Sequence, residues 1–428
     1  MLILHLSWEY PPLVYGGLGR HVHALAEEQA RQGHEVTVVT QTEGPAETVD
    51  VNGVRVIRVP RDPPILPFDG VHLLGWVAGL EHAFTRALVS LAADYNPDVV
   101  HAHDWLVAHT AITSQSVFRA PVVTTLHATE AGRQLGWLTN ELSIAIHSVE
   151  WWLSHHSTRV IACSAHMQWE ISRLFDYPRS HIDVIPNGID LVFWRADPEA
   201  VAEARRDYAR GGPLLVYVGR LEWEKGVHTL LEALPEVLAE HPEARLVVAG
   251  RGGQGEELKR LAEHLDLGSR ALFPGYLPEE QMHGLMAAAD VTVVPSLYEP
   301  FGLVALEAAA LRSPVVVAET GGLAEFADGD HNALTFGRGD PADLARTILE
   351  VLADQPATQQ RRAVAYEALA TRYSWPTITK QTVATYQHAV AEWRTAGHRR
   401  PTAPQAQPGA ANLLYGEADL RPPPVTQD

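Results

Sequence analysis

The clearest chemistry in this chain lies in two short segments that set charged side chains beside glycines. Arg220 and Lys225 share the loop Gly219–Gly226, directly after the apolar run Leu214–Gly219. Together an arginine and a lysine can hold a diphosphate and neutralise the charge that develops as it leaves. The chain has only three lysines, Lys225, Lys259 and Lys380, against 30 arginines, so a lysine here points to a need for a compact ammonium charge. Further on, Glu299-Pro300-Phe301-Gly302-Leu303 follows the apolar run Val291–Pro295 and leads into an alanine-rich helix containing Glu307. Free amides near Gly302 and Leu303 can bind an anion, and Glu299 and Glu307 place two carboxylates near the same helix start. Each feature also has an ordinary explanation, a solvated loop charge or a capping carboxylate. Their combination is the strongest chemical signal in the sequence.

Other motifs divide between chemistry and architecture. Gly16-Gly17-Leu18-Gly19 lies between the first strand and the first helix, where backbone amides can approach a phosphate or a sugar. A tight strand-to-helix turn explains these glycines equally well. Gly250, Gly252 and Gly255 match a dinucleotide-binding pattern, yet the acid expected about 20 residues later is replaced by Ala271-Leu272-Phe273-Pro274. A structural turn is therefore expected there. Asp328-Gly329-Asp330 has the form of a metal-holding D-x-D, but Asp-Gly is a common turn, and a turn without a metal is expected. His101-Ala102-His103-Asp104-Trp105 ends a buried strand, with His101 and His103 alternating onto one face. A metal would need a third ligand, which His109 is poorly placed to supply, so these polar groups are expected to line a cleft. His127 occupies the equivalent end of the next strand, where a functional role and a plain core or surface role are evenly balanced.

The elements that must position these residues follow from hydrophobic periodicity. Apolar strands are predicted at Leu2–Ser7, Glu35–Gln41, Asp98–Ala102, Val122–Leu126, Val160–Cys163 and Ile182–Ile185, with a hairpin turn at Asn52-Gly53. Helical stretches such as Gly79–Ala93 and Leu142–Leu153 separate them, which implies a parallel sheet covered on both faces. The same grammar restarts at Leu214–Gly219 and continues through Leu246–Gly250, Ala271–Phe273, Val291–Pro295 and Pro314–Ala318. The fold class is therefore α/β, as two doubly wound Rossmann-like domains in series. The expected division is an N-terminal domain at 1–195, a C-terminal domain at 196–375, a helix at 376–396 packing back on the N-terminal domain, and a disordered Pro/Ala-rich tail at 397–428. Open sheets of this kind bind ligands at the carboxyl ends of their strands, so the site is sought in a cleft between the domains.

Composition narrows the function classes. With 428 residues, 46% hydrophobic and 20% charged, the chain suits a folded protein of two or three domains. Thirty-three basic against 52 acidic residues give a net charge of −19, which argues against a nucleic-acid surface and against docking on anionic lipid. No apolar run is long enough for a membrane span, and no export signal is evident. The single Cys163 forms neither an intrachain disulfide nor a cysteine metal cluster, so a cytoplasmic location is expected.

In order along the chain, Gly16–Gly19, His101–Trp105, Arg220–Lys225 and Glu299–Glu307 resemble the motifs of glycosyltransferase family 4, which has the two-domain GT-B fold. The resemblance covers about Met1 to Trp393, and within the family the wording at His101–Trp105, Asn187–Asp190 and Gly275-Tyr276 is most similar to bacterial and archaeal glycogen synthases. It departs from them at Tyr15, where a lysine is usual, and in Leu126–Ser164 around the Trp151-Trp152 pair.

The resemblance implies a retaining transfer of glucose from ADP- or UDP-glucose to an α-1,4-glucan, without a metal or other cofactor. By the same resemblance, Arg220 and Lys225 would hold the leaving diphosphate, and Gly16, Gly17, Gly302, Leu303 and Val304 would contact the donor. Glu307 would bind the ribose, Tyr276 would stack on the base and Glu299 would contact the donor sugar. His127 would face the reacting sugar, and Asp104 and Asn187 would line its pocket. The alternatives are the same donor chemistry on a sugar phosphate, a sucrose-type acceptor or a lipid, and a non-catalytic binder of sugar nucleotide or glucan. A nucleotide-dependent oxidoreductase would need the Gly250–Gly255 loop to bind a dinucleotide. Oligomeric state is not encoded in any of these motifs.

Overall fold

The computed structural model describes residues 1–396; the tail expected to be disordered, 397–428, lies outside the described residues. The chain divides into two compact units, one of Met1–Gly188 with the segment from Trp375, the other of Ile189–Ser374.

The first unit is built on eight strands: β1 (Leu2–Leu6), β2 (Glu35–Thr42), β3 (Glu47–Val51), β4 (Val54–Pro60), β5 (Val99–His103), β6 (Val122–Leu126), β7 (Arg159–Ala162) and β8 (Ile182–Val184). Their order is β3-β4-β2-β1-β5-β6-β7-β8. All neighbours are parallel except β3 and β4, a hairpin closed by Asn52 and Gly53 at φ of 52° and 84°. Central strands β5 and β6 are buried along their whole length, His101, His103, Thr124 and Thr125 included, as strands of a parallel sheet covered on both faces are.

Register decides what each face carries. His5 lies beside His101, His101 beside Val123, and His103 beside Thr125. Alternation then puts an apolar row, Ile3 and Val99, toward the amino ends and the histidines toward the carboxyl ends with Val123 beside His101, all on the same face. The helix Trp375–Thr395 covers that face, burying Ile378, Tyr386 and Ala389 against the apolar row. At its start, Gly188 makes room for Trp375, since a β-carbon there would come within 2.6 Å of the ring. Toward its end, Arg159 binds Asp183 through two bonds of 2.8 Å and reaches Glu392 at 2.7 Å, so a half-buried ion network pins the helix.

The second unit has six parallel strands: β9 (Leu214–Val218), β10 (Arg245–Ala249), β11 (Ala271–Gly275), β12 (Val291–Val294), β13 (Val315–Ala318) and β14 (Leu334–Phe336), in the order β11-β10-β9-β12-β13-β14. The helix Val227–Glu240 runs on through Pro235 and buries Val227, Leu230, Leu231, Leu234 and Val237 in the core of this unit.

The boundary falls at Gly188, not at Arg195. Residues just after it are tied to the second unit: the Ile189 amide bonds the Tyr373 carbonyl at 2.8 Å, and the Trp194 ring lies 4.6 Å from that of His283. In each sheet the chain reverses its winding beside one central strand, between β1 and β5 in the first unit and between β9 and β12 in the second. Ligands of doubly wound sheets bind outside the carboxyl ends at such points.

Candidate active site

The second unit carries the charged loops at its reversal point. Gly219–Gly226 follows β9 and Pro295–Gly302 follows β12, and backbone bonds knit the two: the amides of Leu297 and Tyr298 donate to the Glu224 carbonyl at 2.8 and 3.2 Å. Lys225 Nζ meets Glu299 Oε2 at 2.8 Å, with both side chains largely shielded, and Ser296 Oγ donates to the same oxygen at 3.3 Å. Arg220 is 62% exposed and among the described residues its guanidinium pairs with Glu224 alone, at 3.1 Å, so it is available at modest cost. Gly226 is obligatory: at φ 65°, a β-carbon there would meet the Pro295 carbonyl at 2.0 Å.

Gly302, at φ 99°, starts the helix Leu303–Ala310 without a side-chain cap. Leu303 and Val304 form its first turn, so their amides fall among those a helix leaves unbonded. Glu307 is half-buried on the same helix. Tyr276 is 69% exposed just past β11, at the sheet's far edge, with β10 and β9 between it and the reversal point.

The Gly250–Gly255 loop braces the cationic loop. Gln254 N donates to Leu221 O, Leu221 N to Arg251 O, and Gly253 N to Glu222 Oε1, at 2.8, 2.9 and 3.1 Å. β-Carbons at Gly250 and Gly252 would sit 1.8 and 2.4 Å from the carbonyls of Gly219 and Leu221. These glycines thus permit close backbone approach, as a structural turn requires. Asp328-Gly329-Asp330 is likewise a turn, at φ of 51°, 63° and 68°, with Asp330 accepting from the Thr335 amide and hydroxyl.

In the first unit, the amides of Tyr15 and Gly16 donate to Glu9 Oε2 at 2.8 and 2.9 Å, and Gly19 also bonds the Glu9 carboxylate. The chain's own carboxylate thus uses amides of this loop, while Gly17 opens the helix Gly17–Arg31. Burial is the main influence on Glu9 and raises its pKa.

At the carboxyl end of β5, Asp104 takes φ of 61° and its Oδ1 accepts the His127 amide at 2.7 Å. Burial pushes the Asp104 carboxyl up to about 6 and His127 down to about 3, with Arg133 lowering both. Asn187 is buried, with its side chain interacting with the His21 ring. Asp104 and His127 are thus brought together. His101 and His103 are not cleft-lining groups: both are wholly buried under the C-terminal helix because the strand's alternation points them inward.

His103 meets His5 and His127, His101 meets Tyr386 and Thr125, and Gln29 bridges His5 and Tyr386; local spacing does not reveal His5, Gln29 and Tyr386 because they come from β1, the first helix and the last described one. His109 instead bonds Glu81 at 2.8 Å. Two trios, His5–His101–His103 and His21–His103–His127, bring ring nitrogens within 4.8 Å of one another, close enough to hold a metal ion. Each trio contains a histidine–histidine hydrogen bond that an ion would have to replace. Trp151 is buried and Trp152 is 45% exposed, so only the second could stack on a ligand. A surface hollow between Asp98, Arg119 and Trp393 lies at the amino ends of β5 and β6, away from all these residues.

Two doubly wound parallel-sheet units in series are the architecture of the GT-B fold. The models for Glycosyltransferase Family 4 and Glycosyl transferases group 1 match residues 15–193 and 202–369. Glycogen synthase of Mycobacterium tuberculosis is 42% identical over 421 residues, covering 95% of this chain and 100% of that one. D-inositol 3-phosphate glycosyltransferase of Frankia alni is 32% identical, covering 88% of this chain and 95% of that one. Among solved structures, sucrose-phosphate synthase from Thermosynechococcus elongatus matches with a TM-score of 0.77 at 25% identity, over 91% of this chain and 99% of that one. The chain belongs to glycosyltransferase family 4.

Proposed function

We propose that this glycosyltransferase transfers glucose from ADP- or UDP-glucose to an α-1,4-glucan with retention of configuration and without a metal, in the cytoplasm. The observation that carries the reading is the knitted pair of loops holding Lys225, Glu299 and Gly302, with Arg220 exposed beside them. Two cations and the first amides of a helix would stabilise a departing diphosphate, each charge-assisted bond contributing roughly 1.5–3 kcal/mol. In the same reading Glu299 meets the donor sugar while holding Lys225, Glu307 binds the ribose and Tyr276 stacks on the base. Gly17 contributes its amide, and Gly16 does so if the donor displaces Glu9. In the first unit, His127, Asp104 and Asn187 would face the sugar, His127 and Asp104 being held together by the bond from the His127 amide to Asp104 Oδ1.

A glucan acceptor is favoured by the likeness to glycogen synthase over the whole of that chain. A sugar phosphate is the second reading, because relatives and neighbours named for inositol phosphate and sucrose phosphate chemistry also match along most of the chain. No helix among the described residues is long and apolar enough to cross a membrane. NMR of the product separates these acceptors. A new α-anomeric signal on maltooligosaccharide supports the glucan reading, and a disaccharide phosphate formed in its place would overturn it.

A further inference from the structure

We propose that Gln29 and Tyr386 are positioning residues that hold His127 as the tautomer with its ring hydrogen on Nε2, through a continuous chain of buried hydrogen bonds. The Gln29 amide oxygen, which can only accept, faces His5 Nε2 at 2.7 Å. His5 therefore carries its hydrogen there and accepts at Nδ1, where His103 Nε2 stands at 3.0 Å. His103 in turn accepts at Nδ1 from His127 Nε2, at 3.4 Å. On the other side, Gln29 Nε2 donates to the Tyr386 hydroxyl at 3.1 Å, the hydroxyl to His101 Nδ1 at 2.6 Å, and His101 Nε2 to Thr125 Oγ1 at 2.7 Å.

Each group between His127 and Thr125 thus donates once and accepts once along the chain, and reversing any bond would require reversing all of them, the Gln29 amide included. His5, Gln29, His101, His103 and Tyr386 are wholly buried, so water cannot replace a lost partner. Burial keeps the rings neutral, as the tautomer argument requires: His5 is lowered to about 4 and His127 to about 3. The chain leaves His127 Nδ1 as a bare lone pair, with no bonded partner among the described residues. Tyr386 belongs to the helix Trp375–Thr395, so that helix supports the reaction residue as well as covering the sheet.

The consequence for catalysis rests on the reading of His127 as the sugar-facing residue; the tautomer itself does not. Ring nitrogen shifts of the ¹⁵N-histidine-labelled full chain report it directly. A single Nε2–H form of His127 is expected, giving way to mixed tautomers in Gln29→Met and in Tyr386→Phe. Thr124→Val removes an equally buried bond, to Ser157 at 2.6 Å, outside the chain of histidines, and should leave the tautomer unchanged. Mixed tautomers in the unaltered protein, no change in Gln29→Met or Tyr386→Phe, or the same change in Thr124→Val would overturn the proposal. The two proposed variants should also lose on the order of tenfold to a hundredfold in kcat with the donor KM unaltered. A shifted tautomer with full kcat would count against the role of His127 and leave the positioning intact.

Discussion

Lys225 and Glu299 neutralise each other in a largely shielded pocket, whereas Arg220 is exposed and paired with Glu224. The two cations should therefore respond differently to removal. Arg220→Ala should leave the melting temperature unchanged and lower kcat by ~10²–10³, the usual loss when one group stabilising a leaving charge is removed. Lys225→Ala should lower kcat by a similar factor and also destabilise the fold, because Glu299 is left shielded and uncompensated. Steady-state kinetics beside a thermal melt checks both. The buried histidines make a pH prediction with a definite sign. A ring lowered from 6.5 to about 4, as His5 is, stays neutral in the folded state while the unfolded chain takes up a proton, so its contribution is lost as pH falls from 6.5. Asp104 acts oppositely: raised from 3.8 to about 6, it contributes stability at low pH that is lost as pH rises through 6. Burial raises Glu9 and Glu150 in the same sense as Asp104, but His5, His21, His101, His103 and His127 outnumber these three, so stability should fall between about pH 6.5 and 4, and Asp104→Asn should steepen that fall. Urea denaturation across this range gives the slopes.

The cationic loop owes its shape to its neighbour, since the carbonyls of Gly219 and Leu221 come too close to Gly250 and Gly252 for any side chain. Gly252→Ala should cost about 1–3 kcal/mol by overpacking and should reduce turnover by shifting Arg220 and Lys225. A urea midpoint and kcat measured on one preparation test this. Elements of this kind were readable because their signals are local. Leu214–Gly219 and Val291–Pro295 announce buried strands by composition, and the glycines and charges that follow them mark the loops. Alternation alone places His101 and His103 on one face and the sequence leads one to expect a helix at 376–396 packing on this domain, but nothing local shows that the helix roofs this face. That roof turns them from cleft residues into core. For the same reason His5, Gln29 and Tyr386 were invisible: their contacts join positions 24 to 357 residues apart, and only the register of β1 beside β5 brings them together. Ile189–Arg195 went to the wrong unit because the bonds that hold it run to Tyr373 and His283, far along the chain.

For the molecule as a whole, the first unit is completed by the last described helix, whose Ile378, Tyr386 and Ala389 share a core with Ile3, Val99 and Val123. A chain ending at Ser374 should therefore lose the first unit's calorimetric transition while keeping that of the second, whose core lies within Ile189–Ser374. Family membership makes the protein a glycosyltransferase, and the central claim is a metal-independent transfer from a nucleoside diphosphate glucose to a glucan. It is tested most directly by release of nucleoside diphosphate from a panel of ADP-, UDP- and GDP-sugars, with and without maltooligosaccharides or glycogen, in the presence of a chelator. The account predicts release from ADP- or UDP-glucose that depends on glucan and persists in the chelator. Release that is indifferent to glucan, or that stops when metal is removed, would contradict it.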